Sequence, residues 1–426
     1  MSLLISALFF VFCLLAIPLG FSFGLAGLVG VYLSDLPSEL IASRMMFSIN
    51  SFPLLAIPFF MLAGELMVKG GIVNLAVNFA NTIVGRVRGG LGQVTIMSAL
   101  GLSSVSGTAV ADAAALGSAL LKPLSQVYGV RFGAGLIAAS ANLGPILPPS
   151  TAMIVYASIA GPGISVAALF LGGVLPALLI AGFMSLYVYI IARRRNFPVS
   201  GTPFSWRNVA REGRRTFPVL MLPIVIIGGI IGGVFTATEG GAIAVVMALL
   251  LGFFYTKELK LSDLPQALLG AGLTTAAVAV IIAFASIMTF IFSIDNLPDL
   301  LASTLQGITS DPLIFLILVF VLLVLVGTFM ESTAAYVMLV PIFIPIADSY
   351  GIDPVHFALV FILTLIVGML TPPVGVLLFV MCGLSGLKLG ELVDEVWGYM
   401  AIQFGVTLAV VFFPEIFLAL PRLAGY

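Results

Sequence analysis

Charge is scarce in this chain. Only 8% of its 426 residues are Asp, Glu, Lys or Arg, whereas soluble domains carry about 25%. Histidine occurs once, at His356, and cysteine twice, at Cys13 and Cys382. A single histidine excludes an HExxH zinc site and removes most metal and triad chemistry. No lysine directly follows a glycine, so there is no Walker A loop, and no G-x-S-x-G elbow is present. An enzyme is not expected, and neither is a bound cofactor. The net charge of −1 comes with no basic patch to suggest nucleic acid. Both cysteines sit in apolar stretches, where packing is their expected role. No basic segment precedes the first apolar run, and that run is too long for a signal peptide, so no cleavable leader is expected.

What remains is hydrocarbon. The chain is 61% hydrophobic, and stretches near the roughly 20 residues needed to span a bilayer recur throughout. They include residues 3–33, 52–68, 166–192, 217–235, 241–255, 313–329 and 355–368. Glycine clusters such as Gly24, Gly27 and Gly30, or Gly228, Gly229, Gly232 and Gly233, suit close helix packing. The expected class is an all-α polytopic membrane protein embedded in a lipid bilayer.

Basic residues concentrate at the centre, in Arg193, Arg194, Arg195, Arg207, Arg211, Arg214 and Arg215, with Pro198, Gly201 and Pro203 between them. This reads as a solvated linker over residues 193–216, cytoplasmic by the positive-inside rule. Landmarks recur on either side of it. Ser34-Asp35-Leu36-Pro37 returns as Ser262-Asp263-Leu264-Pro265, each a helix-start signal. Pro123 with Tyr128-Gly129 returns as Pro345 with Tyr350-Gly351. Four matches in one order give two repeats, residues 1–192 and 217–426, of inverted topology if each crosses an odd number of times.

The most informative match is a pair of breaks. Gly144-Pro145-Ile146-Leu147-Pro148-Pro149-Ser150 interrupts one apolar run, and Gly368-Met369-Leu370-Thr371-Pro372-Pro373-Val374 interrupts another. Tandem prolines unwind a helix, and freed carbonyls in hydrocarbon are costly unless something binds them. Paired breaks in two repeats point to a transporter's binding site. Ahead of each break lies a second irregular segment, Gly101–Asp112 and Gly327–Ala334, flanked by apolar runs of about ten residues that suit a re-entrant hairpin. The expected hairpins are residues 92–125 and 313–345, and the broken helices 132–160 and 355–382.

A hairpin tip facing an unwound helix offers neutral oxygens to a small cation without burying a full charge. Two sodium sites are expected, one per repeat. The first takes Ser103, Ser106, Thr108, Asn142, Gly144, Ile146 and Pro149; the second takes Gly327, Thr328, Glu331, Thr333, Gly368, Leu370 and Thr371. Helix N-termini after the tips favour an anion, with Ser103, Ser104, Ser106, Gly107, Thr108, Asn142, Pro148, Ser150 and Thr333 as its expected contacts. Isolated serines and threonines would merely join helices; their clustering around Gly107 favours the functional reading.

Four acids lie within or beside apolar segments, where ionisable groups are functional candidates. Glu239, after Thr236-Ala237-Thr238, is either a helix cap or a transport residue; Asp112 and Glu331 are expected to cap their hairpins. Glu65 is expected to pair with Lys69 one turn on, and Arg86 and Arg88 to mark an interface or the substrate cavity, the interface being favoured.

The stretches Val110-Ala111-Asp112-Ala113-Ala114-Ala115-Leu116-Gly117, Pro145-Ile146-Leu147-Pro148-Pro149-Ser150, Thr236-Ala237-Thr238-Glu239-Gly240-Gly241 and Gly368-Met369-Leu370-Thr371-Pro372-Pro373-Val374-Gly375 resemble the large, DctM-like permease of tripartite ATP-independent periplasmic (TRAP) transporters. The resemblance covers essentially the whole chain. It implies sodium-driven uptake of an organic acid, such as a C4-dicarboxylate or sialic acid, across a bacterial inner membrane by an elevator motion. It also implies two partners, a small four-helix membrane subunit and a periplasmic substrate-binding protein. The other readings are a stand-alone sodium/dicarboxylate symporter of the divalent-anion type, a passive channel or facilitator, and an intramembrane hydrolase. Replacing Ser106 or Thr371 with alanine is expected to weaken the sodium dependence of uptake more than it lowers expression. Unchanged sodium affinity in both variants would sink the site assignment.

Overall fold

The computed structural model describes residues 1–161, 163–199 and 204–426, save the side chain of Val105. Among them there are helices but no strands, and eight helices are long and apolar enough to cross a membrane. The first half runs α1 (Ser2–Leu14), α2 (Leu19–Leu33), α3 (Glu39–Ile49), α4 (Ala56–Lys69), α5 (Ile72–Val84), α6 (Gly90–Ser106), α7 (Ala109–Tyr128), α8 (Val130–Ala141), α9 (Thr151–Ala160) and α10 (Val166–Arg194). The second runs α11 (Trp206–Ile231), α12 (Ala237–Leu250, continued as a π turn to Thr256), α13 (Leu264–Ile294), α14 (Leu297–Ile308), α15 (Pro312–Phe329), α16 (Ser332–Ser349), α17 (Pro354–Gly368), α18 (Val376–Ser385) and α19 (Leu389–Phe412). Two short turns, α20 (Pro414–Phe417) and α21 (Ala419–Leu423), end the chain.

Several elements differ from the sequence reading. The first apolar run is not one span; it breaks between α1 and α2, where Pro18 begins a new helix and Ala16 takes a positive φ of 61°. The central basic segment is only partly a linker. Arg207, Arg211, Arg214 and Arg215 belong to α11, whose polar first turns carry them; Gly201 and Pro203 lie outside the described residues. The hairpin arms are longer than ten residues, 17 and 20 in the first repeat and 18 and 18 in the second. Polar residues such as Gln93, Thr95 and Ser98 interrupt the apolar pattern of α6 yet stay helical and buried.

Packing across the two halves is reciprocal. α2 lies on α13 while α12 lies on α4; α9 lies on α16 while α18 lies on α7; and α10 lies along α19. Such exchange is what a pseudo-twofold relation between repeats produces. Small residues make the close crossings possible. A Cβ built on Gly24, Gly27 or Gly30 would fall 2.9, 3.0 and 2.5 Å from the side chains of Phe284, Ile287 and Ile291 on α13. The second glycine cluster does not work this way. Gly228 and Gly233 face open space, and Gly229 packs against the ring of Phe235 from its own segment.

Where α15 crosses α17, backbone meets backbone. A Cβ on Gly368 would lie 2.6 Å from Gly327 Cα, a backbone atom that cannot swing aside. Gly368→Ala should therefore lower the thermal midpoint of the purified protein, at a cost of about 1–3 kcal/mol for overpacking. Gly383→Ala on α18, where a Cβ meets nothing within 4 Å, is the control. Equal midpoints for the two variants would show that this crossing tolerates separation.

Candidate functional site

Each pair of tandem prolines ends a helix. α8 stops at Ala141 and α9 resumes at Thr151; α17 stops at Gly368 and α18 resumes at Val376. Both Pro148–Pro149 and Pro372–Pro373 are cis. In the first break the turn hydrogen bonds close on the carbonyls of Ser140, Ala141 and Leu143, and Ser150 Oγ donates to Pro145 O at 2.5 Å. No donor among the described residues closes on the carbonyls of Asn142, Gly144 or Ile146. Helices α8 and α9, with 12 and 10 residues, are each too short to cross a bilayer alone.

The hairpin tips dock on these breaks through the backbone. Gly107 O accepts Thr151 N at 3.4 Å and Thr151 Oγ1 at 2.8 Å. In the other repeat Thr328 O accepts Gly375 N at 3.1 Å. Gly107 turns the first tip in the left-handed region (φ 63°), and a Cβ there would fall 2.6 Å from Pro149 O. A Cβ on Gly144 would come 2.6 Å from Asp112 Oδ2 and 2.9 Å from Thr108 O. Glycine is thus required on both sides of the contact.

Between the tips and helices α4 and α13 lies a cavity of about 680 Å³. Its polar wall includes Ser106, Thr108, Ser118, Thr151, Thr274, Ser332 and Thr333, together with Glu65, Asp112 and Glu331. Among the described residues no lysine or arginine lines it. Of the expected anion contacts, Ser106, Gly107, Thr108 and Thr333 are on this wall. Ser103, Ser104, Asn142, Pro148 and Ser150 are buried off it. Ser104 Oγ donates to Gly101 O at 2.7 Å, and Ser150 caps α9 by accepting Met153 N at 3.2 Å.

The acids separate by role. Glu239 forms a capping box with Thr236: Thr236 N donates to its carboxylate at 2.7 Å and Glu239 N to Thr236 Oγ1 at 3.3 Å. Glu331 caps α16, accepting from Thr333 N at 2.8 Å, Ala334 N at 3.3 Å, Thr333 Oγ1 at 3.0 Å and Ser332 Oγ at 3.1 Å. Asp112 does not cap α7. Its buried carboxyl instead accepts Ser103 Oγ at 3.0 Å and the Ser106 hydroxyl, tying both arms of the hairpin together. The expected Glu65–Lys69 pair does not form. α13 packs beside α4, so Lys69 Nζ donates to Gln266 Oε1 at 2.8 Å while Glu65 faces the cavity. Arg86 and Arg88 are exposed in the turn before α6. His356 is buried, with Nε2 2.8 Å from Val410 O, a tie between α17 and α19.

The residues expected for the second cation site are arranged more sparsely. Thr328 Oγ1 and Thr371 Oγ1 donate back to Leu325 O and Val367 O at 2.7 and 2.9 Å, Leu370 is fully buried, and Gly327 and Gly368 touch.

A family model described as "Tripartite ATP-independent periplasmic transporter, DctM component" matches residues 6–416. The chain belongs to that family. It is 37% identical over 412 residues to the sialic acid TRAP transporter large permease SiaM of Vibrio cholerae, covering 96% of each chain. It is 34% identical over 406 residues to the C4-dicarboxylate TRAP transporter large permease DctM of Pseudomonas aeruginosa, covering 95% of this chain and 94% of that one. The fold is similar to the crystal structure of the YdaH transporter of Alcanivorax borkumensis, with TM-score 0.64, 17% identity and coverage of 97% and 98%. The DctM component is a multi-pass membrane permease.

Asp112 supplies a direct test of the hairpin geometry. Asp112→Ala leaves two buried hydroxyls without their acceptor, at about 1–3 kcal/mol each, whereas Asp112→Asn keeps one acceptor oxygen. Thermal midpoints should fall in the order wild type, Asn, Ala. Equal midpoints would mean that Ser103 and Ser106 turn to backbone carbonyls instead.

Proposed function

We propose that this DctM component moves an organic acid anion across a bacterial inner membrane, driven by sodium. It would act with a small four-helix membrane subunit and a periplasmic binding protein that delivers the substrate. The observation that carries the reading is the charge of the cavity. Its wall holds the carboxylates of Glu65 and Glu331 and, among the described residues, no cationic side chain. A carboxylate entering such a space meets like charge in a medium of low dielectric, where repulsion is strong. Cations bound at the hairpin–break contacts would offset that repulsion, making anion entry depend on them.

The donor set suits sodium. The first contact offers the hydroxyls of Ser106 and Thr108, free carbonyls in the break and the unpartnered Oδ1 of Asn142. The second offers the hydroxyls of Thr371 and Thr333 and the carbonyl of Leu370, on which no donor among the described residues closes. Neutral oxygens at unwound helices are how secondary transporters hold such ions. The substrate is read as a C4-dicarboxylate, sialic acid or a similar acid, the classes named for the two similar permeases. An elevator motion, with hairpins and broken helices travelling against α4 and α13, fits the way the cavity lies between those two groups.

Uptake of labelled acids into proteoliposomes tests this directly, using the chain with its small subunit, with and without binding protein and an inward sodium gradient. Transport should require both additions. Uptake needing sodium alone would replace the tripartite reading with a stand-alone symporter, and uptake needing neither would leave a facilitator.

A further inference from the structure

The two breaks do more than lie in matching places; they touch through one side chain. Asn142 and Ile366 each stand two residues before the glycine of their own break, Gly144 and Gly368. Asn142 Nδ2 donates to the carbonyl of Ile366, its own counterpart in the other repeat, at 3.0 Å. The same nitrogen donates to Gln403 Oε1 at 2.7 Å, and Gln403 Nε2 donates to Ala139 O at 3.0 Å. These bonds fix the orientation of both amides, because only nitrogen can donate to the two backbone carbonyls. Asn142 and Gln403 are fully buried.

One lone-pair position of this bridge has no partner. Among the described residues no donor reaches Asn142 Oδ1, although the atom is buried. A buried amide oxygen left bare is costly, and it belongs to the residue that heads the first break. Through Nδ2 the same residue holds the last turn of α17, whose end supplies the second break.

We propose that Asn142, held by Gln403, couples the two cation sites. Asn142 Oδ1 serves a cation in the first break, while its Nδ2 sets the carbonyl of Ile366 and so the geometry of the second. Gln403 is a positioning residue: it touches neither site and holds the amide that links them. Occupation of one site then raises affinity at the other, and the coupling is reciprocal. The inference rests on the sodium reading proposed above and adds the route between its two sites.

The test is a sodium titration of acid uptake by the reconstituted transporter at constant ionic strength, for wild type, Gln403→Met and Asn142→Asp. Gln403→Met keeps the volume but removes both the acceptor for Asn142 and the donor to Ala139. Asn142→Asp keeps an oxygen for the first cation and loses the donors to Ile366 and Gln403. The wild type should show a Hill coefficient near ~2, falling towards ~1 in both variants, with half-saturating sodium raised roughly five- to tenfold in Gln403→Met. A purely structural role lowers the amount of active transporter and leaves the coefficient where it was. Wild-type coefficients in both variants would overturn the coupling while leaving sodium dependence intact. A wild type indifferent to sodium would overturn the cation reading itself, and the coupling with it.

Discussion

The fold turns on the docking of a hairpin tip onto a broken helix. Each contact is small, a carbonyl of the tip meeting the first residues after the break: Gly107 O with Thr151, and Thr328 O with Gly375 N. Backbone groups exposed at mid-membrane have no water to satisfy them, so each unwound segment is stable only where another supplies partners. A tip without its break, or a break without its tip, would leave polar groups in hydrocarbon. The mutual need explains why both irregular elements occur in each half, and why glycine stands at each approach. The same contact leaves some carbonyls of the break without a donor.

How much of this could be read from sequence depended on whether the cause was local. Proline pairs unwind helices wherever they occur, so both breaks were legible, as was the duplication that put them in order. The capping box of Thr236 and Glu239 was legible for the same reason, since both partners lie within one turn. Contacts made across elements were not. Lys69 had Glu65 one turn away, yet its partner is Gln266 on α13, a neighbour that only the reciprocal packing of the repeats provides. Asp112 reaches back across the tip to Ser103 and Ser106, and cap statistics favoured the amides of its own helix. Gln403 carries no signal at all, being one amide in a long apolar helix. Of the four acids within or beside apolar segments, Glu65, Asp112 and Glu331 line the cavity and Glu239 does not.

The basic centre of the chain shows a different kind of limit. Arginine-rich sequence between apolar runs reads equally well as a loop or as the polar end of a helix. α11 takes the second course, beginning at Trp206 and carrying four arginines before its apolar portion. Arg195 then pairs with Glu395 on α19 at 2.9 Å, and Arg131 pairs with Glu391 on the same helix. Exposed ion pairs of this sort contribute little energy. Their effect is to hold the polar ends of α8 and α10 beside that of α19.

Beneath the shared backbone the two repeats are chemically unequal. The first hairpin carries Ser103, Ser106 and Asp112 in a closed hydroxyl–carboxyl cluster, while the second presents Glu331 as a cap at its tip. Asn142 heads the first break, and an isoleucine stands at the corresponding place in the second. The amide of Asn142 donates to the backbone carbonyl of that isoleucine, a group that every residue possesses, so the bridge needs a polar side chain in one half only. Duplication supplies the frame, and divergence at this point gives one polar bridge from the first half to the second.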